Sequence, residues 1–182
     1  MRIISGRHKG KIIKVPRGLD LRPTTDFAKE ALFNILANKI GIVDADENRS
    51  ILDLFCGTGH ISMEFASREW GEITAVDKNI RCLRFIEEMN KELAFKIDTI
   101  KTDVFDFIKK TKIKYDLIFA DPPYDLDNID EIHSLIFEYR LLNPGGLLII
   151  EHGKETNFEK CKFFTEHRKY GNVNFSFFVF GQ

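Results

Sequence analysis

From Ile51 onward, apolar runs of strand length alternate with stretches in which apolar residues recur every three or four positions, so strand and helix follow one another. Residues 51–55 read as a strand, Cys56-Gly57-Thr58-Gly59 as a turn, and 60–68 as a helix. A second strand at 72–77 leads to a helix capped by Asn79 and running to about residue 94, with Leu83, Ile86 and Met89 inward. The pattern continues with a strand at 97–101, a helix at 104–110, a strand at 115–120, a helix at 127–142 and a strand at 147–151 after Asn143-Pro144-Gly145-Gly146. Residues 162–165 with their continuation and 174–180 form an antiparallel hairpin about Gly171-Asn172. Such alternation predicts an α/β chain with a parallel, doubly wound sheet and the hairpin added at its end.

Ahead of Ile51 the pattern differs. Residues 2–4 and 11–15 read as two short strands around a glycine-bounded turn, and Thr24 or Thr25 caps a helix with Ala28, Leu32, Ile35 and Leu36 on one face. The polar connector at 44–50 is too short to separate two large domains. Residues 1–43 are therefore expected to be a small extension beside a core at 44–182.

Composition narrows the class. The 182 residues are 43% hydrophobic and 30% charged, enough for one core. No apolar run has membrane length and the first residues lack a secretion signal, so a soluble cytoplasmic protein without membrane contact is expected. The three cysteines show no ligand spacing, so free thiols and no metal are expected. His60, His133, His152 and His167 are scattered and read as ordinary polar positions, and the phenylalanine-rich end reads as core and sheet. The net charge of −1 conceals an uneven distribution: residues 1–17 hold Arg2, Arg7, Lys9, Lys11, Lys14 and Arg17 and no acid. A basic arm is the footprint of a polyanion, here nucleic acid.

The candidate chemistry lies at strand ends. Asp121-Pro122-Pro123-Tyr124 closes the strand at 115–120, on the edge where open α/β sheets bind ligands. Two prolines remove two backbone donors and leave the carbonyls of Asp121 and Pro122 available. The Asp121 carboxylate and the Pro122 carbonyl can hold both N–H bonds of a planar nucleobase amine, whose delocalised lone pair makes it a poor nucleophile, and Tyr124 can stack on the base. Upstream, Asp53-Leu54-Phe55-Cys56-Gly57-Thr58-Gly59 puts a carboxylate and two glycines where a strand passes into a helix. Asp77 at the next strand end can accept both hydroxyls of a ribose, and Asp103 at the third can accept from an adenine amine. A dinucleotide would want glycine where Ser62 stands, and a phosphate loop would want Gly-Lys-Ser or Gly-Lys-Thr. S-adenosylmethionine, cationic and without phosphate, suits the acidic strand end at Asp53 better.

These two motifs resemble the amino-methyltransferases, which methylate exocyclic amines of nucleobases. Arg2-Ile3-Ile4-Ser5-Gly6, Lys9-Gly10-Lys11, Leu21-Arg22-Pro23-Thr24-Thr25-Asp26 and Glu30-Ala31-Leu32-Phe33-Asn34 are similar to the bacterial 16S ribosomal RNA guanine-N2 methyltransferase family, of the small-subunit methyltransferase D type. The resemblance implies a Rossmann-like class I methyltransferase fold with a mostly parallel seven-stranded sheet, S-adenosyl-L-methionine as cofactor, and 16S rRNA in an assembling small subunit as partner of a monomer. It implies that Asp121, Pro122, Pro123 and Tyr124 carry the catalysis, and that Asp53, Phe55, Cys56, Gly57, Thr58, Gly59, Asp77, Lys78, Asp103 and Val104 hold the cofactor. Arg2, Arg7, Lys9, Lys11, Arg17, Arg22, Thr24 and Thr25 would contact RNA. No cysteine lies in residues 120–130, so transfer without a covalent enzyme intermediate is expected. A DNA adenine-N6 methyltransferase shares the tetrad but usually carries a larger target-recognition segment. A non-catalytic RNA-binding module is the other alternative.

Overall fold

The computed structural model describes residues 1–19, 25–40 and 48–181. Five parallel strands, β1 (Ser50–Leu54), β2 (Glu72–Asp77), β3 (Ile97–Lys101), β4 (Tyr115–Ala120) and β5 (Leu142–His152), are joined by β6 (Phe164–Tyr170) and β7 (Val173–Val179). Their order across the sheet is β3-β2-β1-β4-β5-β7-β6, with β7 antiparallel to both of its neighbours. The expected fold class is thereby met, terminal hairpin included. Because β1 continues to one side and β4 to the other, the chain leaves a crevice at their carboxyl ends.

Alternation along the strands divides the core. Ile51, Leu117, Phe119, Leu147 and Ile149 point to one face and pack with α1 (Asp26–Ile40), α2 (His60–Ser67) and α3 (Ile80–Leu93). Leu52, Leu54, Ile118, Leu148 and Ile150 point to the other, toward α4 (Val104–Lys110) and α5 (Ile129–Glu138). Strands buried on both faces read as continuous apolar runs, which is why they were visible from sequence.

Three details differ from expectation. The helix expected to reach residue 142 stops at Glu138, and Leu142 instead pairs with Tyr115 as the first residue of β5. Arg140 takes a left-handed φ of 54°, which ends the helix, and a register irregularity then carries Asn143 to Gly146 along the sheet edge. The expected amino-terminal hairpin is reduced to one antiparallel bridge, Arg2 with Ile12, flanked by Ile3 N to Lys11 O at 3.0 Å and Ile13 N to Met1 O at 2.9 Å. Ile3, Ile13, Leu32, Phe33 and Leu36 belong to the same apolar cluster as the central strands, so this segment shares the core. Among the described residues no helix is long and apolar enough to cross a membrane.

Candidate active site

At the carboxyl edge a cavity of about 410 Å³ opens between the loops that follow β1, β2, β3 and β4. Its floor is the turn after β1, where Gly57 (φ 52°) and Gly59 (φ 74°) adopt left-handed backbone. A methyl group on Gly59 would lie 2.7 Å from Ile86 of α3, so only glycine lets the loop sit this low. Asp77 ties the loop down: one carboxylate oxygen accepts from Gly57 N at 2.8 Å and the other from Asn79 N at 2.7 Å. Each oxygen keeps a second lone pair for a ligand hydroxyl.

Asp121 follows β4 directly and lines the cavity with Pro122, Pro123 and Tyr124. The Pro123 carbonyl accepts from Leu126 N at 3.0 Å, whereas among the described residues no amide takes the Pro122 carbonyl or the Asp121 carboxyl. Burial, then the carboxylates of Glu151 and Asp53, push the Asp121 carboxyl well above the usual carboxylate range. The register explains the crowding: Asp53 lies opposite Phe119 and Ala120 opposite Ile150, so Asp53, Asp121 and Glu151 point to one face of three adjacent strands. Tyr124 is 52% exposed at the mouth, its ring edge facing Gly153.

Of the residues expected to hold a cofactor, Phe55, Cys56, Gly57, Thr58, Asp77, Lys78, Asp103 and Val104 line this cavity. Gly59 stands just behind, as the cap of α2. Asp103 spends one oxygen capping α4, accepting from Phe105 N at 2.9 Å and Asp106 N at 3.3 Å. Phe55 and Phe105 meet edge to face, their centroids 6.5 Å apart. The Cys56 thiol is pushed up by burial and by Asp53 and Asp77, which leaves it protonated and unsuited to nucleophilic attack.

Asp53 corrects an expectation. It is not part of the cavity lining but is fully buried below the loop, accepting from both the amide and the hydroxyl of Ser62. Strand alternation turns it toward α2, and burial raises its carboxyl to about 7. It anchors the first turn of α2 to β1 and offers no exposed charge to a cation. His60, expected to be an ordinary polar position, in fact lines the cavity. Its buried imidazole is depressed to about 3, by burial and then by Lys29 and the amino terminus, so it is neutral at physiological pH. Its place directly after Gly59 was the available signal. Among the described residues no cluster of His, Cys, Asp and Glu could hold a metal ion.

The residues expected to contact RNA divide between two edges of the sheet. Arg2 pairs with Asp26 at 3.3 Å where α1 begins, and Thr25 caps that helix, accepting from Ala28 N at 3.2 Å. Arg17 is exposed next to Gly18, which approaches Arg81 in the first turn of α3, on the cavity edge. Arg7, Lys9 and Lys11 are elsewhere. Arg7 meets Glu69 at 3.6 Å just past the carboxyl end of α2, and Lys11 meets Glu92 at 2.9 Å in the last turn of α3, both toward the opposite edge of the sheet. Lys9 is exposed in the turn between them. Arg22 and Thr24 lie outside the described residues.

The family described as Conserved hypothetical protein 95 matches residues 1–179. The chain belongs to that family. Among its relatives is YlbH of Bacillus subtilis, 32% identical over 85% of this chain and 84% of that protein. Another is the ribosomal RNA small subunit methyltransferase D of Buchnera aphidicola subsp. Acyrthosiphon pisum, 30% identical over 92% of this chain and 85% of that protein. The resemblance drawn from the motifs is thus borne out. A 16S rRNA N2 G1207 methyltransferase of Thermus thermophilus, solved with AdoMet and guanosine, superposes with a TM-score of 0.69 over 87% of this chain and 44% of that chain. At 21% identity that likeness bears on the fold, which is the class I methyltransferase fold.

Proposed function

We propose that this protein transfers a methyl group from S-adenosyl-L-methionine to the exocyclic N2 amine of a guanine in 16S rRNA. One observation carries the reading: a carboxyl and a proline carbonyl, to which no amide of the described residues donates, line a cavity beside an exposed tyrosine ring. Family membership supports it, since a relative bears the name small subunit methyltransferase D.

The cavity suits the methyl donor. Carboxylates at Asp77 and Asp103, the Phe55 and Phe105 rings and a single lysine, Lys78, make an acidic, aromatic lining for a cationic nucleoside, and they lack the cation cluster a dinucleotide's phosphates would want. When bound there, S-adenosylmethionine would supply a methyl group already activated on a sulfonium. Asp77 would accept from ribose hydroxyls, and the free oxygen of Asp103 from the adenine amine. The Asp121 carboxylate and the Pro122 carbonyl hold the two N–H bonds of the target amine and aim its lone pair, while Tyr124 stacks on the base. Asp121 also stabilises the positive charge that grows on the nitrogen. No covalent enzyme intermediate is needed, consistent with the protonated Cys56. A guanine must leave its stack to reach Asp121, which favours a loop target.

Replacing Asp121 by Asn tests the site. Turnover on 16S rRNA is expected to fall by about 10²–10³, the scale for losing one aimed electrostatic contact, with cofactor affinity held within a few-fold. Near-normal turnover would refute the assignment. In the native enzyme the raised Asp121 carboxyl must ionise to accept from the amine, so turnover should climb as pH rises through its pKa. Digesting the product and identifying its methylated nucleoside separates guanine-N2 from adenine-N6 chemistry, and calorimetry with S-adenosylmethionine identifies a non-catalytic module by absence of heat.

A further inference from the structure

Next to Tyr124 the carboxyl edge continues into a second recess, of about 250 Å³, that the cofactor cavity does not include. The hinge between them is Gly153, where an added methyl would sit 3.3 Å from the Tyr124 ring. The register puts the recess on the active edge, since His152 at the end of β5 pairs with Asn174 of β7, and Lys169 of β6 also pairs with Asn174.

Its wall is prearranged. The buried His152 imidazole donates from Nδ1 to the Gly153 carbonyl at 2.8 Å, which leaves Nε2 to accept from the Ser176 hydroxyl at 2.8 Å. His167 Nε2 donates to Asn174 Oδ1 at 3.1 Å, and Asn174 Nδ2 in turn donates to the His152 carbonyl at 3.3 Å. These groups satisfy one another, and the donors left over face the recess. They are the ammonium groups of Lys154 and Lys169, the Thr156 hydroxyl and the amide nitrogen of Asn157, whose oxygen already accepts from Glu159 N at 2.8 Å. Lys154 is 82% exposed and, among the described residues, pairs with its neighbour Glu155 at 3.5 Å. One carboxylate, Glu159, stands on the lining against two lysines. A surplus of donors around a hydrogen-bonded wall suits an oxyanion. Farther along the same edge, Tyr170 and the 67% exposed Phe27 meet at a centroid distance of 6.0 Å, an aromatic step of the kind single-stranded nucleic acid stacks on.

We propose that this recess is a second substrate subsite, which takes a phosphodiester group of the RNA strand next to the nucleotide held by Asp121 and Tyr124. It rests on the RNA-methylation reading and deepens it, because it fixes the direction in which the strand leaves the site: across Gly153 toward the β6–β7 hairpin. A phosphate here fixes register without reading sequence.

The test is a Lys154→Ala, Lys169→Ala double variant, with His167→Gln as a second variant that removes no lysine charge. On in vitro transcribed 16S rRNA the double variant should raise KM and the RNA Kd about tenfold, and should flatten the salt slope by about one to two, with kcat at saturating RNA and S-adenosylmethionine affinity within twofold. His167→Gln should raise KM by a smaller factor with the slope unchanged. A Kd and slope equal to those of the unsubstituted protein would overturn the subsite alone. Titrating the RNA-free protein with inorganic phosphate separates the sources: saturable sub-millimolar binding, lost in the double variant while RNA affinity stays normal, would mark a free-anion site and also overturn it. Failure of the unsubstituted protein to bind or methylate the RNA would instead overturn the methylation reading on which it rests.

Discussion

At the scale of single residues, the carboxyls of Asp53 and Asp121 are both raised by burial, with smaller contributions from Asp77 on Asp53 and from Glu151 and Asp53 on Asp121. Asp53 reaches about 7 in the folded protein, against about 3.9 in an unfolded chain. The folded state thus keeps a proton that the unfolded chain releases between pH ~4 and ~7, so this group's contribution to stability falls as pH rises through that window and levels off above it. Asp121 acts in the same direction. His60, depressed to about 3, acts in the opposite one, lowering stability as pH drops below ~6.5. Denaturant midpoints measured across pH 4 to 7.5 should show Asp53→Asn flattening the decline toward neutrality. A native-like profile in that variant would mean Asp53 is ionised in its buried site. The arrangement costs stability at neutral pH.

At the scale of elements, the unit that decides most is the amino-terminal arm on α2. Glu64, completely buried, accepts from Ile4 N at 2.8 Å and Ser5 N at 3.0 Å, and pairs with Lys29 at 3.6 Å and Arg68 at 2.9 Å. Lys29 in turn donates to the Arg2 carbonyl at 2.6 Å, and burial lowers its pKa despite Glu64. One carboxylate therefore joins the arm, α1 and α2. Glu64→Ala would strand a buried ammonium and two amides, and urea unfolding should report a loss of about 3–5 kcal/mol. A change under about 1 kcal/mol would mean that water replaces the carboxylate. The arm approaches so closely that a methyl on Gly6 would overlap the Ser67 carbonyl at 1.9 Å, so glycine is obligatory where Arg7 N donates to that carbonyl.

At the scale of the whole molecule, the two edges of the sheet divide the charge. Lys154 and Lys169 line the recess beside the cavity, Arg17 adjoins Gly18 near Arg81 at the start of α3, and Arg2 reaches Asp26 at the start of α1, whereas the side chains of Arg7 and Lys11 reach Glu69 and Glu92 at the carboxyl ends of α2 and α3. A short RNA spanning the target loop should therefore lose affinity in an Arg2→Ala, Arg17→Ala variant and bind normally to an Arg7→Ala, Lys9→Ala, Lys11→Ala variant. The far-edge variant should weaken binding only to full-length 16S rRNA or a subunit particle, with a slope reduced by about one per lost phosphate contact. Equal loss on the short RNA in both variants would mean the strand wraps around α2 and α3.

By itself, the order of residues determined the sheet, its helices and the location of the tetrad, because strands buried on both faces and glycine-opened helices leave local signals that need no partner. Asn79, Gly57, Asp77 and Asp121 were readable for the same reason: each acts within a few residues of a strand end. Only the tertiary structure decided that Asp53 lies under the loop, that His60 faces the cavity, that Glu64 holds the arm, and that Arg7 and Lys11 point away from the active edge. Those outcomes depend on which strand face meets which helix and on groups some 60 to 80 positions apart, such as Ile4 with Glu64 and Lys11 with Glu92, and no local pattern encodes such meetings.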